Sequence, residues 1–172
     1  SGCGGRDAGA ADPTAGETTP ATEPERTKQF GLSYDPEAGM NPYSCTTLIN
    51  RTVMALLYQG LFTVTSAYEA EPVLCKRYQV SADEKTYTFT LESAVFSDGA
   101  PLTGKDVEAS LRAARGSAMY GDRLQYVESI SVNEEGQVVL TLTTPYEMLP
   151  VLLDIPIVPA DETEKDFPLG TG

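Results

Sequence analysis

The sequence predicts an α+β fold: a small mixed, largely antiparallel sheet with two or three helices. Three observations predict it. Thr86-Tyr87-Thr88-Phe89-Thr90-Leu91 alternates polar and apolar residues with the period of a half-buried strand. Residues 126–133 and 137–144 read as two strands about a Glu134-Glu135-Gly136 turn, with Val138, Leu140 and Leu142 pointing one way. The segments after Thr47 and after Thr103 space their apolar residues as helices do.

The elements follow in order. Residues 4–26 are mostly Gly, Ala, Thr, Pro and Glu, without helix or strand period. Such a segment cannot bury enough apolar surface to offset its ordering entropy, so residues 1–27 read as a disordered tether. Ordered structure is expected over residues 28–172, opening with a short strand at 28–34. Asp35-Pro36 through Asn41-Pro42 is a loop. Thr46 or Thr47 caps a helix in which Leu48, Ile49, Val53, Leu56 and Leu57 form one apolar face, and Gly60 ends it. Strands are expected at 61–64, 71–74 and 78–80, and a turn at 81–85. Thr103 and Asp106 fit a capping box, with Asp in the place of Glu, ahead of a helix that presents Val107, Leu111 and Ala114. Residues 147–153 suit one or two helical turns, residues 154–158 a final strand, and residues 161–166 a solvated acidic loop.

Composition narrows the function. With 12 basic and 25 acidic residues the net charge is −13, so nucleic acid is excluded as a partner for want of a basic face. Histidine is absent, which removes the usual general base and the commonest metal ligand. No Gly-X-Ser-X-Gly is present, and no zinc-type cysteine spacing. Gly99-Ala100-Pro101-Leu102-Thr103-Gly104-Lys105-Asp106 nearly spells a phosphate-binding loop. Asp106 stands where a Mg²⁺-binding hydroxyl is needed, and Pro101 lacks an N–H to aim at a phosphate. Enzyme chemistry, a resident metal and a cofactor are therefore not expected. Cys45 and Cys75 form an even pair that is open to two readings: two unpaired, partly buried thiols, or a disulfide outside the cytoplasm.

Six short strings in this order resemble the family 5 solute-binding proteins of ABC importers, which carry oligopeptides, dipeptides or nickel. They are Met40-Asn41-Pro42-Tyr43, Leu57-Tyr58-Gln59-Gly60-Leu61-Phe62, Glu71-Pro72-Val73-Leu74-Cys75, residues 81–91, Phe96-Ser97-Asp98-Gly99-Ala100-Pro101-Leu102-Thr103-Gly104-Lys105-Asp106-Val107, and Pro168-Leu169-Gly170-Thr171-Gly172. Gly104 stands where the family usually has Ala. The resemblance implies the first part of a two-lobed, type II periplasmic-binding-protein-like fold: a piece of the N-terminal lobe with its added subdomain, the second lobe lying beyond. It implies a peptide or other small solute as ligand, ABC permease subunits as partners and a place outside the cytoplasm. Ser1-Gly2-Cys3 resembles a lipoprotein cleavage string, with lipid on Cys3 holding the protein to the membrane. For binding, the resemblance points to main-chain groups at Leu32, Ser33 and Tyr34, and to the ring of Tyr120; Asn41 and Tyr43 join them as candidates. The alternatives are a shortened copy that folds but captures nothing, and a binder of nickel or another solute.

Overall fold

The computed structural model describes residues 33–172. Helix α1 spans Leu48–Leu57 and α2 spans Gly104–Arg115. Strands β1 (Phe62–Val64) and β2 (Ala70–Pro72) pair as a hairpin. Strands β3 (Cys75–Val80), β4 (Thr86–Leu91), β5 (Val127–Val132) and β6 (Val138–Leu142) build a second sheet in the order β3-β4-β6-β5. This is the expected α+β class, and every named strand pair is antiparallel. The helical turns expected near residue 150 are a short 3-10 helix, Leu149–Leu152, and a second one spans Gly121–Leu124.

The register of the larger sheet sorts its two faces. Tyr87 lies opposite Leu140, Phe89 opposite Val138, and Ile130 opposite Leu140, all of them buried. Thr86, Thr88 and Thr90 take the other face with Val139, Thr141, Ser129 and Ser131, as strand alternation requires. Helix α2 lays Val107, Leu111 and Ala114 into the core against β5 and β6. Arg112 and Arg115 fasten it by donating to the carbonyls of Ile130 and Val127.

Gly104, the first residue of α2, explains its departure from the family pattern. A Cβ there would lie 2.8 Å from the Gly136 carbonyl oxygen and 2.8 Å from a Val132 methyl. The β5–β6 turn therefore sits against the helix start. Gly104→Ala is expected to destabilise the protein by about 1 kcal/mol despite alanine's better helix propensity. Urea unfolding of the two proteins measures it.

Of the strand expected at 28–34, residues 28–32 lie outside the described residues, and Ser33 and Tyr34 are irregular chain. Three other expectations are corrected. The apolar face of α1 is not the buried one: of its five residues only Val53 is buried, while Leu48 is 81% and Leu56 60% exposed. Asn50 turns inward with Val53 and Met54. Its Nδ2 donates to the carbonyls of Asp35 and Gly39, and its Oδ1 accepts from the Asp35 N–H, so a polar side chain is buried with its bonding capacity met. Residues 154–158 are extended and carry the buried Ile155, Ile157 and Val158, but they join no ladder; they are held by single bonds such as the Ile157 N–H to the Gln59 carbonyl. In the acidic loop, Glu162 is buried and accepts from the Leu169 N–H.

Cys45 and Cys75 are both buried and unpaired, the second of the two readings the sequence left open. The carbonyl of Cys45 accepts from Arg51 on α1, whereas Cys75 opens β3 opposite Leu91. Burial pushes the Cys75 thiol up to about 11.

Candidate functional site

The candidate residues divide by what their polar atoms already do. Leu32 and Cys3 lie outside the described residues. Asn41 is buried with its amide fully engaged: Nδ2 donates to the carbonyls of Thr163 and Lys165, and Oδ1 accepts from the Tyr43 N–H. Tyr43 is buried too, and its hydroxyl donates to the Pro156 carbonyl at 2.5 Å. Asn41 and Tyr43 thus join the loop before α1 to residues 156–165. Their polar atoms are spent inside the protein, a role that loop composition alone does not reveal.

Tyr34 and Ser33 are different, because both are exposed. The Tyr34 ring is 48% exposed and meets Phe167, itself 52% exposed, edge to face at 6.5 Å. Together with Met40, Val53, Leu57, Tyr58 and Pro168 these rings line an open apolar groove of about 330 Å³. Tyr58 forms its floor, bonding through its hydroxyl with the carbonyls of Met40 and Pro168. Phe167 was missed in the sequence, where it reads only as the residue before Pro168.

Burial pushes the Tyr58 hydroxyl from 10.0 up to about 12, and pushes Tyr43 up as well. The folded protein therefore holds these protons where the unfolded chain has released them. Stability is unaffected below pH 10 and falls between pH 10 and about 12. Tyr58→Phe, which cannot ionise, is expected to flatten that fall; thermal midpoints measured from pH 8 to 12 test it.

Tyr120 is 5% exposed and sits in a charged cluster. The guanidinium carbons of Arg51 and Arg123 lie 5.6 and 5.0 Å from its ring centroid, and the Tyr43 ring meets it edge to face. Arg123 pairs with Asp154, and Arg51 donates to the Tyr120 hydroxyl at 2.7 Å. Arg51 is the one charged residue in α1, and that was the sequence signal for it. Asp106, the residue that spoiled the phosphate loop, accepts from the N–H and hydroxyl of Thr103 and leaves no seat for a phosphate.

Residues 69–172 match the family model of bacterial extracellular solute-binding proteins, family 5 Middle. The chain belongs to that family. It is 32% identical over 115 residues to a probable peptide ABC transporter periplasmic-binding protein, y4tO, of Sinorhizobium fredii, and 38% identical over 77 residues to the dipeptide-binding protein DppE of Bacillus subtilis. These alignments cover 66% and 44% of this chain but 22% and 13% of the relatives, so it spans about a fifth of the first relative's length. The solved structure of AgaA, a periplasmic binding protein in complex with agropinic acid from A. tumefaciens R10, superposes with a TM-score of 0.66 at 30% identity, covering 78% of this chain and 30% of that one. AppA of Bacillus subtilis, an oligopeptide-binding protein solved with a nonapeptide, superposes at 0.63 over 83% of this chain and 32% of its own; at 19% identity that is a likeness of fold. The fold is that of the family 5 periplasmic binding proteins, whose members work outside the cytoplasm. Among the described residues no helix is long and apolar enough to cross a membrane.

Proposed function

We propose that this protein is the solute-capturing component of a peptide-type ABC importer, taking oligopeptides outside the cytoplasm and delivering them to a permease. In this reading residues 28–172 are the N-terminal portion of a two-lobed binder. Residues 1–27 are its tether, and lipid on Cys3 is its anchor. Capture is closure of the two lobes over a peptide, followed by docking on the permease. The observation that carries the reading is the family match across residues 69–172, joined to peptide-transport relatives. The exposed face of α1 and the open groove beside Tyr34 agree with it, since both are apolar surfaces that a larger binder would cover. Ser33 and Tyr34 then offer main-chain groups to an extended peptide.

Calorimetry with a pool of penta- to nonapeptides tests the proposal on two proteins: this chain and the product of the whole reading frame. Heat of binding is expected from the whole product and only weakly from the chain alone. A whole product that unfolds cooperatively yet binds no peptide would favour the non-capturing module. Cys3→Ala is expected to move the protein from the membrane fraction to the soluble one.

A further inference from the structure

The Tyr87 hydroxyl joins two distant stretches of chain. It donates to the Tyr146 carbonyl at 2.6 Å, which sets the loop after β6 beside the start of β4. Between that loop and the β3–β4 turn lies an open pocket of about 370 Å³, whose lining includes Tyr78, Val80, Glu84, Tyr87 and Glu147. Strand β3 is an edge of its sheet, so no strand of that sheet lies beyond Tyr78 and Val80, which are 41% and 42% exposed. The two share one face of β3, as strand alternation requires.

Two carboxylates reach this pocket from separate loops. In the β3–β4 turn the Asp83 carboxylate accepts from the Ser81 hydroxyl and the Lys85 N–H, and is spent in closing the turn. Glu84 and Glu147 are exposed at the pocket instead. Among the described residues their carboxylates accept no hydrogen bond and join none of the ion pairs, and Lys85, beside Glu84, pairs with neither. Burial pushes the Tyr87 hydroxyl up, and Tyr78 and the charges of Glu84 and Glu147 add to the rise. Both charges therefore bear on one point of the pocket wall.

Like charges that face one cavity repel, and a cation between them relieves that cost. A divalent metal is a poor fit. It takes about six oxygen ligands, and among the described residues no group of three or more His, Cys, Asp or Glu could hold one. An exposed tyrosine ring and a valine beside the carboxylates suit an organic cation, whose stem needs apolar cover while its head needs acceptors.

We propose that the pocket between the β3–β4 turn and the loop after β6 receives a primary alkylammonium group, with Glu84 and Glu147 accepting its N–H bonds and Tyr78 and Val80 covering its methylene stem. The site needs only residues 78–87 and 147, so it stands apart from the importer reading, and the peptide calorimetry does not bear on it.

The test titrates the ¹⁵N-labelled chain with n-butylammonium chloride and follows its amide resonances. Saturable shifts centred on residues 78–87 and 146–148 are expected. Sodium chloride at equal ionic strength and 1-butanol, the neutral counterpart of the same length, are the controls, and neither is expected to produce them. Glu84→Gln and Glu147→Gln, both at exposed positions, are each expected to weaken binding about threefold to fivefold, as loss of one screened ion pair does. Glu134→Gln removes the same charge at the opposite end of the sheet and is expected to leave binding unchanged. The inference is overturned if 1-butanol or sodium chloride produces the same shifts, if both pocket variants bind as the wild type does, or if Glu134→Gln weakens binding as much as they do. Nα-acetyl-lysine N-methylamide carries the same group on a peptide unit. Tighter binding of it than of n-butylammonium assigns the site to a lysine side chain, and weaker binding assigns it to a free amine.

Discussion

Gly60→Ala is expected to cost about 3 kcal/mol of stability and about 10 °C of thermal midpoint. A Cβ at residue 60 would lie 2.7 Å from the Ile155 carbonyl oxygen and 2.9 Å from the Asp154 carbonyl carbon. Both obstacles are main chain, and neither can rotate away as a side chain would. Nor can residue 60 retreat. On one flank the Gln59 carbonyl accepts from Ile157, and the Phe62 N–H donates to Leu153. On the other, the carbonyls of Gly60 and Leu61 accept from Leu74, Val73 and Cys75. The segment after α1 is thus pinned between residues 153–157 and the start of β3, and an added methyl must push one of them out. Gly99→Ala is the control. Its Cβ meets nothing within 4 Å, so its cost is limited to the left-handed backbone at φ +85°, about 1 kcal/mol. Denaturant unfolding of both variants ranks them, and a Gly60→Ala loss no larger than that of Gly99→Ala would refute the argument.

What was legible in the sequence follows from what each signal reports. Periodicity reports a face, and β4, β6 and α2 each have one buried face, so Tyr87, Phe89, Val138, Leu140, Val107 and Leu111 are where the pattern puts them. Turn chemistry reports local geometry: Gly136 and Gly99 both adopt positive φ, and Asp98 accepts from the Ala100 N–H in the Asp-Gly turn. Helix α1 defeated the same reasoning because it is apolar on more than one side. Leu48, Ile49 and Leu56 suggest a core face, yet Asn50 turns inward, for which its bonds to residues 35 and 39 are the reason. Those partners lie eleven or more positions away, and no local pattern carries them. The candidate site shows the same division. The exposure of Tyr34 is a surface property that motif position suggests. The internal duties of Asn41 and Tyr43 depend on residues 156–165, more than a hundred positions along the chain.

Asp106→Ala is expected to cost about 3 kcal/mol, and its coupling to Ser110 is the more telling quantity. One carboxylate oxygen of Asp106 accepts from the N–H and hydroxyl of Thr103, which caps α2. The other accepts from the Ala160 N–H at 2.8 Å. One helical turn on, the buried Ser110 hydroxyl donates to the Val158 carbonyl and accepts from the Val158 N–H. Residues at i and i+4 lie on one helix face, so two side chains of α2 take the place that a neighbouring strand would have for residues 158–160. This is how Val158 stays buried outside any ladder. Deleting the Ser110 hydroxyl leaves the buried Val158 main chain unpaired, and deleting the Asp106 carboxylate leaves the N–H of the exposed Ala160 to water. Once the segment has loosened, the second deletion should cost less. The double variant Asp106→Ala/Ser110→Ala is therefore expected to lose about 1 kcal/mol less than the sum of the single losses. Urea unfolding of the four proteins closes the cycle. Additivity within about 0.3 kcal/mol would mean that the two side chains hold separate structures, and residues 158–160 would need another explanation for their position.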